Sequence, residues 1–385
     1  MAEKRKDKRG RVLKTGESER ADGTYQYRYK DVREKVRYVY APTLDALRGK
    51  EDTIQRDLAD GIDYAAGEVT LKELVRCYVA QKQGGRYNTK ANYNFVMNLL
   101  EKEAIASKQI RSIKPSDLKL WVIKLDADKY RYSTIDAIRG VLKPAFEMAV
   151  EDGAIRRNPF TFKLVDVIPN DTQKREALTK EEQKKLLDFI LEDTCRRKYY
   201  DEVVILLGTG MRVSELYGLT ISDIDFSRGC INIERQLQRT KHSEYYIEAP
   251  KTECGIRKIP MSQEVKEAFR SAIAKRATPR MEYIIGGHTG FIFLDKDGKP
   301  KVAMHLEHAM KRMMDKYNAT HAEPMKVTPH VLRHTFCTNM AQADIQPKAL
   351  QYIMGHADIA ITLGTYTHYN YDAAQAAFQT AKTAP

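Results

Sequence analysis

Residues 68–160 contain four successive helix patterns that no strand pattern interrupts, so this part of the chain is restricted to an all-helical unit. Glu73 completes a capping box at the start of the first helix, and apolar residues recur at helical spacing in the other three. Gly67 precedes the unit, and Gly153 and an Asn-Pro pair end it. The predicted helices begin at side chains that can accept free N–H groups: Thr70, Thr89, Ser116 and Ser133.

Alternating tyrosines characterise the preceding segment, residues 1–66, which opens with a basic tail. Three tyrosines alternate with polar residues at positions 25–30, a period of two that predicts a strand with one aromatic and one mostly basic face. Residues 36–40 predict a second strand, and residues 44–58 predict a helix. We therefore expect a small sheet with one helix, with the tyrosines in its core and two basic side chains facing outward, Arg28 and Lys30.

A segment without clear periodicity, residues 161–176, is predicted to be an interdomain linker. The following region, residues 177–385, mixes helices and strands. It opens with a capping box formed by Thr179 and Glu182 and contains a buried helical run at Val203–Leu207. The predicted fold class is mainly α with small β-sheets, divided into several domains. Three short strands are expected in the last region, at residues 231–233, 245–247 and 257–259.

Charge and composition exclude several classes of protein. The 385 residues include 65 Lys and Arg against 52 Asp and Glu, and the formal charge of +13 favours a polyanionic partner such as nucleic acid. No apolar run approaches the ~20 residues that span a membrane, and none follows the basic N-terminus as in a signal peptide. The five scattered cysteines predict neither a disulfide framework nor a cysteine-ligated zinc site, which fits a cytoplasmic protein. Since the sequence has no GxxxxGK[ST] loop, we expect no nucleotide cofactor.

Unusual polar residues accompany the apolar runs of the last region. Arg212 follows a buried segment and requires an anion, which is either Glu215 or a bound phosphate. His330 and Arg333 share one face in the first turn of a helix, where the helix dipole favours an anion. Further along, His356 follows a glycine, and Tyr366 comes ten residues after it.

Together these groups make phosphodiester transesterification possible without a metal. Two guanidiniums can grip phosphate oxygens with paired donors, and two imidazoles can donate hydrogen bonds or move protons. Lys251, placed between two predicted strands, can protonate a leaving oxygen. The hydroxyl of Tyr366 can attack phosphorus when its developing charge is stabilised.

In order and spacing, these motifs resemble the tyrosine recombinases, or phage-type integrases, and are most similar to the integrases of conjugative transposons. The helical unit is similar to the core-binding domain of the family, and the N-terminal sheet to its arm-type DNA-binding domain. The resemblance thus covers essentially the whole chain. It is carried by Thr209-Gly210-Met211-Arg212-Val213-Ser214-Glu215-Leu216, Pro250-Lys251-Thr252, His330-Val331-Leu332-Arg333-His334-Thr335, Gly355-His356 and Tyr366-Thr367-His368.

The resemblance implies a role for each residue. Arg212 and Arg333 would clamp the scissile phosphate, and Glu215 would orient the site. Lys251 would be the general acid, and Tyr366 the nucleophile that forms a 3′-phosphotyrosine link. The remaining two catalytic roles would fall to His330 as acid or base and His356 as a hydrogen-bond donor to the phosphate. The seven candidates for DNA contact are Arg28, Lys30, Arg37, Lys90, Lys114, Arg139 and Lys143; for those on helices, a merely solvated face is the alternative.

The same resemblance implies how the protein works in the cell. It would be a cytoplasmic bacterial enzyme that integrates and excises a mobile element, with double-stranded DNA as substrate and neither metal nor cofactor. Four copies would exchange strands through a Holliday junction, with an accessory excision factor as a further partner. The arm-binding domain would comprise residues 1–66, the core-binding domain residues 67–160, and the catalytic domain residues 177–385. The linker at 161–176 would cross the duplex. The tail at 372–385 would pack on a neighbouring protomer.

Alternatives remain at the level of both function and residue. His330 and His334 have the spacing of a zinc helix, although Val331 stands where a metalloprotease requires Glu. A DNA-binding protein without catalysis and a type IB topoisomerase are the other two functional alternatives. Tyr369 and Tyr371 compete with Tyr366 as nucleophile, and Lys241 and Lys258 compete with Lys251 as general acid.

Overall fold

A computed structural model describes residues 5–32, 34–63, 66–82, 84–172, 176–250, 253–279 and 281–364. Contacts within the chain divide it into two units, residues 1–173 and 174–385. In the first unit a small sheet precedes a group of helices. The second unit carries the motifs around Arg212, Arg333 and His356.

The alternating tyrosines form the middle strand of an antiparallel three-stranded sheet. Its order is β1 (Glu17–Glu19), β2 (Tyr25–Lys30) and β3 (Val36–Ala41), and helix α1 (Leu44–Ala59) packs on it. The three tyrosines are buried among apolar residues of α1, and Arg28 and Lys30 face solvent, which confirms the predicted alternation. Strand β1 was not predicted because its sequence, Glu-Ser-Glu, has no apolar residue.

Four helices follow in the same unit and share one core. They are α2 (Leu71–Ala80), α3 (Tyr87–Leu100), α4 (Pro115–Ala127) and α5 (Tyr132–Glu151). The predicted capping box at Thr70 is present, since the backbone N–H of Thr70 donates to the Glu73 carboxylate at 2.8 Å and the backbone N–H of Glu73 donates to Thr70 Oγ1 at 3.3 Å. Helices α3, α4 and α5 each begin one or two residues before the predicted start.

The segment after these helices contains one 3-10 turn, Leu164–Asp166. Leu164 and Ile168 are buried in the core of the helical group. The N-terminal sheet is attached to the helical group through Arg156, whose Nε and Nη2 donate to Asp57 Oδ1 of α1 at 3.0 and 2.9 Å. A second acidic residue, Asp60, also pairs with Arg156.

The second unit surrounds its core with helices and two small sheets. The three predicted strands are present, but they do not form one sheet: the first and third pair with each other, and the second belongs to a separate hairpin. The helices are α6 (Lys180–Glu192), α7 (Tyr200–Thr209), α8 (Val213–Tyr217), α9 (Gln263–Ala274), α10 (Ala303–Thr320), α11 (Pro329–Gln342), α12 (Pro347–Met354) and α13 (Ile359–Leu363). The sheets are β4 (Ile224–Asp225), β5 (Cys230–Ile233) and β8 (Arg257–Pro260), and the hairpin β6 (Gln236–Arg239) and β7 (Tyr245–Glu248).

Helix α7 lies at the centre of this core. Of the predicted buried run Val203–Leu207, Val203–Leu206 are buried and Leu207 is partly buried, and α7 packs against α9 and α11. Its C-terminal end therefore determines where Arg212, three residues further along the chain, can lie relative to α11. Among the described residues, no helix is long and apolar enough to cross a membrane.

Candidate active site

Arg212 reaches the surface through a turn that only glycine fits. Gly210 ends α7 with a φ of 63°, and a Cβ at this position would lie 2.3 Å from Cδ1 of Phe336. The turn directs Met211 into the core, while the side chain of Arg212 remains 39% exposed. Arg212 is therefore fixed at its backbone and open to solvent at its guanidinium.

Glu215 holds Arg212 in two ways. Its Oε2 accepts the backbone N–H of Arg212 at 2.8 Å, and its Oε1 accepts Nη1 of the same residue at 2.8 Å. Of the two partners that the sequence left open for Arg212, the carboxylate is thus present. Because the guanidinium is partly exposed, donors on it remain available to a phosphate.

Arg333 lies buried in α11, whose first turn is capped by Thr328. Nη1 donates to the carbonyl of Gly210 at 2.6 Å, and Nη2 donates to the carbonyl of Met354 at 2.5 Å. Both of these partners are neutral, and within the described part of the chain Arg333 forms no ion pair. Burial and the nearby charge of Arg212 lower the pKa of the Arg333 guanidinium. The site therefore has a deficit of negative charge, which a phosphate would relieve.

Arg257 is a site residue that the sequence analysis missed. It is buried on β8, and its Nη2 donates to Glu215 Oε2 at 2.8 Å. Burial by itself would raise the pKa of Glu215, but the charges of Arg257 and Arg212 bring it below its ordinary value, so the carboxyl remains ionised. One signal was available: with the alternation of a strand, Arg257 falls on the same face as buried Ile259 and opposite exposed Lys258.

His356 follows Gly355, which ends α12 with a φ of 62°. Its Nδ1 lies 3.0 Å from Oγ1 of Thr362 in α13. Burial, followed by the charges of Arg333 and Arg212, lowers the pKa of His356 to about 4, so the imidazole is neutral at pH 7. This sensitivity to both arginines places His356 in the same electrostatic environment as the candidate phosphate clamp.

His330 is exposed in the first turn of α11, one turn before Arg333. His334 is partly buried, and burial lowers its pKa. The spacing that suggested a zinc helix is not extended by further ligands: in the described ranges, no group of three or more His, Cys, Asp or Glu residues could hold a metal ion.

Two predicted catalytic residues, Lys251 and Tyr366, lie outside the described residues, and so do Tyr369 and Tyr371. Of the alternative lysines, Lys258 lies on β8, and Lys241 connects the strands of the β6–β7 hairpin. The described structure thus brings together four predicted site residues in the second unit: Arg212, Glu215, Arg333 and His356.

Comparison with known proteins settles the family. The model of the phage integrase family matches residues 176–373, and that of the DNA-binding domain of Tn916 integrase matches residues 1–58. Over 391 aligned residues the chain is 43% identical to the transposase from transposon Tn916 of Enterococcus faecalis, with 98% of this chain and 96% of that protein covered. The chain belongs to the phage integrase family of tyrosine recombinases. It is a site-specific recombinase of the type that integrates and excises mobile elements.

Solved structures agree with this assignment of the recombinase. The Tn1549 transposon integrase in complex with a circular intermediate DNA is 41% identical, with a TM-score of 0.77 over 81% of this chain and 99% of that chain. The same integrase in complex with transposon right end DNA has a TM-score of 0.78 over 82% of this chain. A lambda integrase tetramer bound to a Holliday junction, 18% identical with a TM-score of 0.56, shares the fold.

The candidate DNA contacts on the N-terminal sheet of the recombinase lie on two different faces. Arg28 is directly opposite Tyr38 across the strands, and Lys30 is opposite Val36, so these four share the exposed face. Arg37 is instead opposite Tyr29 on the other face, where its Nε donates to the buried carboxylate of Asp31 at 3.0 Å. The sequence placed Arg37 on the correct strand but did not reveal this partner.

The remaining candidates of the recombinase lie on the helices. Lys90 on α3 and Lys114 at the start of α4 are exposed. Arg139 and Lys143 are four residues apart and therefore share one face of α5. Lys143 is exposed, whereas the Arg139 side chain is only 23% exposed and lies 3.6 Å from the carboxylate of Asp136.

Proposed function

We propose that this recombinase cuts and rejoins DNA by transesterification at the site around Arg212 and Arg333. The observation that carries the proposal is the position of Arg333, buried with two carbonyl partners and no ion-paired carboxylate among the described residues, beside an Arg212 that Glu215 anchors. Two such guanidiniums fit a scissile phosphate, whose charge they offset as it becomes pentacoordinate. Removing one such donor typically costs about 10²- to 10³-fold in rate.

The reaction we propose starts at Tyr366. Its hydroxyl attacks phosphorus, a bond forms between Oη and phosphorus, and the bond from phosphorus to the 5′-oxygen breaks. Lys251 protonates that oxygen, His330 acts as the base that takes up the proton of the Tyr366 hydroxyl, and His356 donates a hydrogen bond to the phosphate. The product is a 3′-phosphotyrosine link that retains the energy of the broken backbone bond, and attack by a 5′-hydroxyl reverses the step, so neither ATP nor a metal enters the reaction.

The assembly we propose has four copies on two duplexes. Residues 1–66 would bind arm-type sites, residues 67–160 and 177–385 would enclose the core site, and residues 161–176 would cross the duplex between them. The matches to residues 1–58 and 176–373 support these divisions. The Tn1549 integrase in complex with transposon right end DNA and the lambda integrase tetramer bound to a Holliday junction support the proposed substrate. The tail at 372–385 would pack on a neighbouring protomer, and an accessory factor would direct excision in the bacterial cytoplasm.

For DNA contact we propose the exposed face of the N-terminal sheet, through Arg28 and Lys30. On the helical group, the exposed Lys90 and Lys114 and the shared face of α5 with Arg139 and Lys143 would contact the core site. Arg37, held by Asp31 on the opposite face of the sheet, would contribute through the field of its charge.

A covalent-complex assay tests the proposed chemistry. The purified chain is incubated in EDTA with a nicked suicide duplex that carries the end of the element, and denaturing electrophoresis shows whether DNA migrates with protein. We expect a covalent band for the wild type and for the matched control Tyr369→Phe, but none for Tyr366→Phe. A band with Tyr366→Phe would move the nucleophile to another tyrosine. Absence of any band despite tight DNA binding would favour the non-catalytic alternative, and a band that needs added metal would favour the metal alternative.

A second assay separates recombination from topoisomerase action. Two labelled duplexes are mixed with the chain, and a recombinase yields exchanged products that depend on both sites. Relaxation of supercoils at a single site without exchange would indicate a type IB topoisomerase.

A further inference from the structure

We propose that Arg257 is a positioning residue that keeps Arg212 and His356 aligned on the scissile phosphate. The inference rests on the proposed function, because it assigns Arg257 a task only if these two residues bind phosphate. The side chain of Arg257 is completely buried, and we assign it no direct contact with the phosphate. It acts through the three segments that its guanidinium joins.

The contacts of Arg257 reach three separate parts of the chain. Nη2 donates to Glu215 Oε2 of α8 at 2.8 Å, and Nε donates to the carbonyl of Ile353 in α12 at 2.6 Å. Nη1 donates to the carbonyl of Gly255 at 3.0 Å, within the 3-10 turn that follows Lys251 and Thr252 in the sequence. The planar guanidinium of Arg257 thus binds two segments that lie 42 and 96 residues away from Arg257 in the sequence.

Glu215 transmits the effect of Arg257 to Arg212. The carboxylate that accepts Nη2 of Arg257 also accepts the backbone N–H and Nη1 of Arg212. Without Arg257, burial would act on Glu215 with less opposing charge, so its pKa would rise and its hold on Arg212 would weaken. The alignment of the exposed guanidinium therefore depends on the buried one.

The second path leads from Arg257 to His356. Arg257 and Arg333 donate to consecutive carbonyls at the C-terminal end of α12, those of Ile353 and Met354. The helix dipole stabilises positive charge at this end. A Cβ on Gly355 would lie 3.0 Å from Nη1 of Arg257, so the chain passes directly over the guanidinium before it reaches His356. The position of the turn that presents His356 is thus set by this side chain.

Arg257→Lys provides the test because it retains the charge and removes the planar guanidinium. Nε, Nη1 and Nη2 of Arg257 each reach a different acceptor, and the three donors of an ammonium, which share one nitrogen, cannot span the same distances. A misplacement of about 1 Å caused by a substitution away from the reacting atoms can cost about 100-fold in rate. We expect the rate of covalent-complex formation on the suicide duplex to fall by about that factor, while the dissociation constant for DNA stays within about twofold of the wild-type value.

Arg276→Lys is the matched control. Arg276 is also buried, and it also binds one carbonyl, that of Phe291 at 2.8 Å, and one carboxylate, that of Glu282, without touching the site. We expect it to lower the melting temperature as much as Arg257→Lys but to leave the cleavage rate close to wild type. An equal loss of rate in both variants would reduce Arg257 to a general stabilising residue and overturn the proposal.

A duplex with a methylphosphonate at the scissile position gives a readout that a stability defect does not produce. Replacing one phosphate oxygen by methyl removes the negative charge that aligned guanidiniums must offset. The difference between wild type and Arg257→Lys should therefore shrink on this substrate. If Arg257→Lys is unfolded, Glu215→Gln carries the same test and should show the same pattern. An unchanged ratio of rates, or a wild-type rate for the variant, would contradict the proposal, whereas a wild type without any covalent complex would contradict the proposed function instead.

Discussion

Oγ1 of Thr362 lies 3.0 Å from Nδ1 of His356, and this contact joins a candidate phosphate-binding residue to α13, the helix that precedes Tyr366 in the sequence. Thr362 is fully buried and lies four residues before Tyr366. If Nε2 of His356 donates to phosphate, Nδ1 accepts the hydroxyl proton of Thr362, which fixes both the ring and its tautomer. The approach of the nucleophile segment and the orientation of His356 are then coupled.

Thr362→Val should therefore lower the rate of covalent-complex formation with little effect on DNA affinity. A neutral hydrogen bond contributes about 0.5–1.5 kcal/mol, so a loss of roughly 2- to 13-fold is expected. Single-turnover kinetics on the suicide duplex measure it, with Thr320→Val as the control because that hydroxyl is exposed and bonds only locally. A wild-type rate for Thr362→Val would contradict the coupling between His356 and the segment that carries Tyr366.

The low pKa of His356 predicts how stability depends on pH. Burial and the charges of Arg333 and Arg212 hold this pKa at about 4 in the folded protein, against 6.5 as the ordinary value. Between these pH values the unfolded chain binds more protons, so the free energy of unfolding falls as the pH is lowered from 6.5 toward 4. Urea titrations at several pH values should show this fall, and His356→Asn should reduce its slope. An identical slope in both proteins would place the titration elsewhere, for example at His334 or His305, whose pKa values are also lowered.

The hydroxyl of Thr335 is expected to stabilise the start of the second unit, where it binds the backbone of Leu178. Its buried Oγ1 accepts the backbone N–H of Leu178 at 3.0 Å and donates to the carbonyl of Val331 at 2.8 Å. Thr335→Val leaves the buried N–H of Leu178 without a partner, so we expect a loss of about 1–3 kcal/mol in the free energy of unfolding. Thr335→Ser retains the hydroxyl and should lose less. Urea denaturation measures both losses, and a smaller loss for Thr335→Val than for Thr335→Ser would show that the methyl group rather than the hydroxyl stabilises this position.

The two faces of the N-terminal sheet predict different effects on DNA binding. Arg28→Ala and Lys30→Ala should each weaken binding to the end of the element and reduce the slope of affinity against salt by about one. Arg37→Ala should mainly destabilise the sheet, because it leaves buried Asp31 without this ion pair. Fluorescence anisotropy at several salt concentrations measures the DNA affinity and its salt slope for all three variants. A lower salt slope for Arg37→Ala alone would reverse the assignment of the faces.

The sequence was most informative where local chemistry decides the structure. The capping boxes at Thr70 and Thr179 and the alternation of the tyrosines depend on neighbours a few residues apart, and the structure contains each of them. Strands β4 and β6 were not predicted, because β4 has only two residues and β6, Gln-Leu-Gln-Arg, has a single apolar residue, so both are defined by their partners. The pairing of Arg257 with Glu215 spans 42 residues, and only the folded chain brings them together.

The motifs of the site were predictable as a set, but their contacts were not. Spacing indicated that Arg212 needs an anion, yet it could not decide between Glu215 and phosphate, and the structure leaves room for both. The bonds from Arg333 to Gly210 and Met354 join three distant segments through carbonyls that every residue possesses, so no side-chain pattern could indicate them. The roles of Lys251 and Tyr366 stay predictions.

Because Arg333 binds the carbonyls that close α7 and α12, it is a poor choice for making an inactive reagent. Truncating it would leave two helix ends without their donor, and a loss of recombination would then be confounded with misfolding. The partly exposed Arg212, whose backbone N–H would still bind Glu215 after truncation, is the better position. A catalytically silent protein built there would keep its scaffold and serve as a trap for capturing intact DNA complexes.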